Sequence, residues 1–180
     1  MRKIVLTFGL LSGAVSSAMM LLTVPFMDRL LDHGGAVIGY TAIVLSFLLV
    51  FFGIRAYRDN VGGGAVTFGR AFAVGLLIAV ISSLCYVVTW EVIYFKMTPD
   101  FVDKYAAHEV NSLKAKGASQ QQVDDMVRQM QQFKVMYNKP LFNAAITFTE
   151  PFPVGFVIAL GSAAVLRTRK RNASTASASR

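Results

Sequence analysis

Thr149-Glu150-Pro151-Phe152-Pro153-Val154-Gly155 lies inside the last long apolar run of the chain, between Leu141 and Leu166. That run has the length of a membrane-crossing helix, which takes about 20 mostly apolar residues. A carboxylate and two prolines are out of place in such a helix. Each proline lacks an N–H and crowds the carbonyl four residues back, here those of Thr147 and Thr149. In hydrocarbon, freed backbone groups persist only where protein covers them or where they line a water-filled cavity. The stretch therefore predicts a kinked span at 141–166, packed against other spans, with Glu150, Pro151 and Pro153 at the break.

Outward from this element, three more long apolar runs precede it. The first, 1–27, starts on the basic Met1-Arg2-Lys3 and passes Ser16-Ser17-Ala18, a small-residue triplet of the kind a signal peptidase cleaves. It continues through Met19-Met20-Leu21-Leu22 to spanning length, and is therefore taken as an uncleaved helix. The second, 36–58, ends on Arg55-Ala56-Tyr57-Arg58, with Asp59 directly after. The third, 71–95, carries Trp90 and Tyr94 near its end, where aromatic side chains anchor at the membrane surface. Small residues recur at every fourth position: Gly9, Gly13 and Ser17; Gly75, Ala79 and Ser83; Gly155, Ala159 and Ala163. Such stripes let neighbouring helix backbones approach closely.

Composition agrees with this reading. Of 180 residues, 54% are hydrophobic and only 16% charged, with mean hydropathy +0.52; a soluble domain carries about 25% charged residues. A net charge of +8 would suit a nucleic-acid partner if the basic residues lined one soluble face. Instead they cluster at the ends of apolar runs, as membrane topology requires, so no nucleic-acid partner is expected. The single Cys85 allows no intrachain disulfide.

The segment 97–140 is polar and helical by pattern. Pro99 and Asp100 suit a helix start, Val102, Ala106, Val110 and Leu113 share one face, and Gly117 ends the run. Ser119 with Gln122 reads as a capping box opening a second helix, with Val123, Met126, Val127, Met130, Phe133 and Tyr137 on its apolar side. The fold class that follows is all-α: an integral membrane protein with four transmembrane helices and an extracytoplasmic helical hairpin between the third and fourth. The remaining pieces are a Gly-rich loop at 59–70 and a basic tail at 167–180, rich in Ser and Ala and expected to be disordered.

Charge asymmetry orients the chain. One side carries Arg2, Lys3, Arg55, Arg58, Arg70, Arg167, Arg169, Lys170 and Arg171 against the single acid Asp59; the other is near balance. Lys and Arg near span ends mark the cytoplasmic side. Both termini and the Gly-rich loop are therefore expected in the cytoplasm of a bacterial inner-membrane protein, with the helical hairpin outside.

Two carboxylates fall inside the spans. Counted from the basic side at about 1.5 Å per residue, Glu91 lies about 30 Å up its helix and Glu150 about 24 Å up. Both are in the outer half, so one shared cavity is conceivable, and an acid within a membrane is by default a functional candidate. The plainer readings are that Glu91 reaches headgroup water and that Glu150 bonds backbone freed at the kink. Arg55, Tyr57, Arg58, Asp59 and Arg70 form an interfacial cluster, with contact to lipid phosphate as its functional reading.

Catalytic and metal patterns are missing. Gly64 to Ala71 has the outer glycine spacing of a phosphate-binding loop but lacks its Lys and its Ser/Thr, and it follows a membrane helix instead of a strand. His108-Glu109 resembles the start of a zinc helix, but Ser112 stands where the second histidine belongs. No enzyme activity, cofactor or metal is expected.

Taken together in order, Gly53-Ile54-Arg55-Ala56-Tyr57-Arg58-Asp59, Phe68-Gly69-Arg70-Ala71-Phe72, Thr89-Trp90-Glu91, Pro99-Asp100-Phe101, Tyr137-Asn138-Lys139-Pro140 and Glu150-Pro151-Phe152-Pro153-Val154-Gly155 form a distinctive set. The chain resembles, from the first span to Arg167, the bacterial four-span membrane family called domain of unknown function 4199. The resemblance implies an inner-membrane protein with this span order, and no activity. The leading expectation is a non-enzymatic accessory or interaction protein, contacting membrane lipid and either its own copies or another membrane protein. The alternative is a small oligomeric transporter or ion-coupled channel using Glu91 and Glu150.

Overall fold

The computed structural model describes residues 1–26, 29–30 and 35–168. The turn residues Asp28, Asp32 and His33 and the tail from 169 to 180 lie outside the described residues. The helices are α1 (Arg2–Thr23), α2 (Gly35–Asn60), α3 (Phe68–Val92), α4 (Phe101–Ala115), α5 (Gln120–Tyr137), α6 (Pro140–Phe148) and α7 (Pro151–Leu166). No strand occurs among the described residues, so the all-α expectation holds. Four helical segments are long and apolar enough to cross a membrane: α1 with its following turn, α2, α3 with its following turn, and α6 joined to α7.

Helix α3 is central, packed on α1, α2, α6 and α7. Lipid tails are as apolar as leucine, so helices in a membrane associate through close packing and hydrogen bonds, not through burial from water. The small-residue stripes supply that packing within the chain. A Cβ on Gly9 would lie 2.9 Å from Ile81, and one on Gly13 would lie 2.5 Å from the Cβ of Cys85. On the other side of α3 the stripes face each other. A Cβ on Gly75 would sit 3.0 Å from that of Ala159, and one on Gly155 would sit 2.9 Å from that of Ala79. Phe47, Val50, Ile54, Val74 and Ile78 fill the space between, all essentially inaccessible.

Two polar links cross these interfaces. Ser12 donates its hydroxyl to the Ser46 carbonyl at 2.8 Å and lies 2.9 Å from the Ser82 hydroxyl, joining α1, α2 and α3 in one buried node. Thr89 donates to Ser17 at 2.7 Å, one small-residue step further along.

The last span breaks at the expected place. Helix α6 ends at Phe148, and α7 starts at Pro151, a position where the missing N–H costs nothing. The Thr147 carbonyl, expected to be freed by Pro151, is instead taken by the Glu150 N–H at 3.3 Å, because the chain tightens into a shorter turn. Thr149 closes the same turn, donating both its N–H (2.9 Å) and its hydroxyl (2.6 Å) to the Ile146 carbonyl. The kink is thus mostly satisfied from within.

Several expected boundaries move. The loop at 59–70 shrinks to 61–67, because α2 runs on to Asn60 and α3 starts at Phe68. Gly63 and Gly64 take positive φ values of 62° and 83°, which lets the chain reverse in so few residues. At its far end α3 widens into a π turn, Ile93–Met97, closed by the Thr98 N–H on the Ile93 carbonyl at 2.9 Å.

Between the third and fourth spans, α4 and α5 pack on each other. Asp100 begins α4, as its position after Pro99 suggests, and both halves of the Ser119–Gln122 capping box open α5. Lys134 ties the two helices through Asp103, at 2.5 and 2.7 Å to its two oxygens. An aromatic cluster fixes the pair to the bundle. Trp90 donates its indole N–H to the Tyr137 hydroxyl at 2.9 Å, and Tyr94 donates its hydroxyl to Asn138 at 2.6 Å. Phe101 meets Trp90 edge-on at 5.0 Å, and Tyr94 meets Tyr137 edge-on at 5.1 Å.

Candidate functional site

Glu150 leaves the kink at the N-terminal edge of α7 and accepts a hydrogen bond from the Tyr86 hydroxyl of α3 at 3.1 Å. Glu91 sits five residues further along the same α3 helix, partly buried, with its Oε1 covered and without a hydrogen-bond partner among the described residues. Five residues turn an α-helix by about 140°, so Tyr86 and Glu91 leave α3 in widely different directions. The partner of Glu150 and the position of Glu91 therefore belong to separate faces. Pro151 and Pro153 shape the kink and lie in the first turn of α7, with Pro151 buried against the bundle.

The polar residues that do meet in this half of the bundle are others. Asn143 and Thr147, both fully buried on α6, bond each other at 3.2 Å, and Asn143 donates its amide to the Tyr137 carbonyl at 3.2 Å. Together with the Trp90 bond they continue the aromatic attachment of the α4–α5 pair down into the span. The signal for them was a pair of polar residues four apart in an otherwise apolar run, hence on one helix face.

At the opposite, basic end the expected cluster divides. Arg58 bonds Asp59 at 2.7 Å and Arg55 approaches the same carboxylate at 3.7 Å. Tyr57 turns inward and is buried. Arg70 stands apart from these, on the first turn of α3, and shares a cleft of about 1030 Å³ with Arg167, Tyr57 and the 61–67 turn. The cleft owes its shape to Thr168. Its N–H bonds the Val66 carbonyl at 3.0 Å, and its hydroxyl accepts from the Val66 N–H at 3.1 Å. This clamp joins the turn before α3 to the segment after α7, two places 102 residues apart in the chain. No periodicity in the sequence points to Thr168.

No curated protein and no solved structure matches the chain. Residues 7–168 match a family described as protein of unknown function, DUF4199. The match takes in most of the first span, the other three spans and the α4–α5 pair, and the chain belongs to this family.

Proposed function

We propose that this chain is a non-enzymatic interaction protein of the bacterial inner membrane, with both termini in the cytoplasm and α4–α5 presented outside as the docking element. The observation that carries the proposal is the way this pair is held. Its base is clamped by Trp90, Tyr94, Phe101, Val102 and Tyr137, while its body projects a groove of about 340 Å³ between the two helices. Val102, Ala106, Val110, Val127 and Met130 line that groove, with Asp103 and Lys134 at its edge. An amphipathic surface on a rigid mount suits binding of a protein segment in a groove.

The four-span bundle serves as the anchor. Its small-residue stripes are spent on contacts between its own helices, and its centre is filled by large apolar side chains. The alternative, transport through Glu91 and Glu150, draws little from this arrangement, because Glu150 bonds Tyr86, which leaves α3 about 140° away from Glu91.

The test is site-specific photocrosslinking from position 127 of the full-length protein in intact cells. A discrete protein adduct that disappears when Ala107→Glu places a charge across the groove is the expected result. An adduct pattern unchanged by Ala107→Glu, or the absence of any protein adduct, would reject the docking role.

A further inference from the structure

The geometry points to the cleft at the basic end as a binding site for the phosphate of an anionic membrane lipid, held between Arg70 and Arg167. Four observations converge there. First, its two guanidinium groups are uncompensated: Asp59, the acid near this end, is already engaged by Arg55 and Arg58, and neither Arg70 nor Arg167 makes an ion pair or side-chain hydrogen bond among the described residues. Two like charges facing one cavity repel, and an anion between them removes that cost. Guanidinium groups also match phosphate oxygens in a planar, two-pronged geometry.

Second, backbone donors stand at the start of α3, whose Phe68 and Arg70 line the same cleft. Thr67 gives α3 no side-chain cap, and the Phe68, Gly69 and Arg70 N–H groups have no acceptor among the described residues. The first satisfied donor is the Ala71 N–H, on the Thr67 carbonyl at 2.9 Å.

Third, the depth is right. The lining residues belong to the end of α2, the start of α3 and the segment after α7, the places where the spans leave hydrocarbon. Lipid phosphates occupy that level throughout.

Fourth, an apolar track leads away from the cleft along the outside of the bundle. Phe68, 38% exposed, stacks on Phe72 at 6.1 Å, and Phe72 meets Phe156 edge-on at 5.5 Å. Phe156 is itself 39% exposed. A lipid with its phosphate in the cleft can lay an acyl chain along this strip. Of the interfacial residues expected to contact lipid phosphate, this assignment keeps Arg70, sets aside Arg55 and Arg58 as partners of Asp59, and adds Arg167.

The experiment is native mass spectrometry of the full-length protein released from nanodiscs of equimolar phosphatidylglycerol and phosphatidylcholine. The wild type should retain phosphatidylglycerol selectively. Arg70→Gln/Arg167→Gln should lower that retention by on the order of tenfold or more, as expected for loss of charged hydrogen bonds. Arg55→Gln, which leaves the cleft intact, should retain it at the wild-type level.

Equal retention by the double variant, or an equal fall in Arg55→Gln, would overturn the assignment. A second arm titrates inorganic phosphate into delipidated protein, followed by phosphorus NMR. Saturable phosphate binding together with no retained phosphatidylglycerol would make the ligand a free phosphate and overturn the lipid source. Should the double variant fail to fold, Arg70→Lys replaces it. That variant keeps the charge but loses the fork, and must show reduced retention at an unchanged melting temperature for the proposal to stand.

Discussion

Gly13→Ala tests the packing that holds this bundle together. The added methyl would stand 2.5 Å from the Cys85 Cβ and 2.7 Å from its Sγ, where carbon contacts ordinarily settle near 3.5–4.0 Å. A Cβ cannot rotate away, so α1 has to move off α3 by about 1 Å. Overpacking of this kind costs about 1–3 kcal/mol. The displacement also strains the Ser12–Ser82 contact at 2.9 Å and the Thr89–Ser17 bond at 2.7 Å, each worth about 0.6 kcal/mol in a membrane protein. The sum, about 2–4 kcal/mol, corresponds to roughly 5–15 °C in Tm for a chain of this size. Thermal unfolding in detergent, read from Trp90, measures it, since this is the only tryptophan and it sits in the aromatic cluster.

The second-site variants make the experiment discriminating. Cys85→Gly removes both clashing atoms and should recover most of the loss in the Gly13→Ala background, less about 1 kcal/mol for glycine within a helix. Cys85→Ala keeps the Cβ and should recover little. If Gly13→Ala melts like the wild type, or if Cys85→Ala rescues as well as Cys85→Gly, α1 and α3 do not meet as described.

Three further outcomes are expected. Trp90→Phe removes the indole donor to Tyr137 and should loosen α4–α5 by about 1 kcal/mol, seen as faster amide exchange across 101–137 while the spans remain protected. Ser119→Ala abolishes the capping box and should destabilise the first turn of α5 by about 1 kcal/mol, with faster exchange at Gln122 and Val123 and no change in α4. The Lys104 ammonium, 3.1 Å from Asp100, holds that exposed carboxyl below its ordinary range. A depressed folded-state pKa contributes stability above the unfolded value and loses it as pH falls through the folded one. Lys104→Met should therefore raise the NMR titration midpoint of Asp100, and an unmoved midpoint would show the pair to be without effect.

Much of the fold was legible because the signals are local. Four long apolar runs, a Pro-x-Pro break, a capping box and an aspartate after proline each state what their own few residues must do, and each gives the expected element, the run ends shifting by a few residues. Partner choice was not legible in the same way. Periodicity tells which face of a helix is small or polar, but not which helix meets it. Hence depth alone sets Glu91 and Glu150 side by side, whereas Glu150 takes Tyr86 as its partner, about 140° around α3 from Glu91. Arg55 and Arg70 look equivalent by charge, yet Asp59 neutralises the environment of one and not the other. Asn143 and Thr147 read as tolerated polar residues until the Tyr137 carbonyl and the aromatic cluster are placed against them.

The Thr168 clamp has a bearing on how the molecule is made. The turn at 61–67 is synthesised about a hundred residues before the residue that fixes it, and a chain elongates at about 5–20 residues per second. For that interval the loop between α2 and α3 lacks its final contacts. Only when α7 has threaded back can Thr168 reach Val66 and close the cleft. Arg70 and Arg167 thus come together as one of the last events of assembly, so occupancy of their cleft would report on a completed bundle and not on a nascent one.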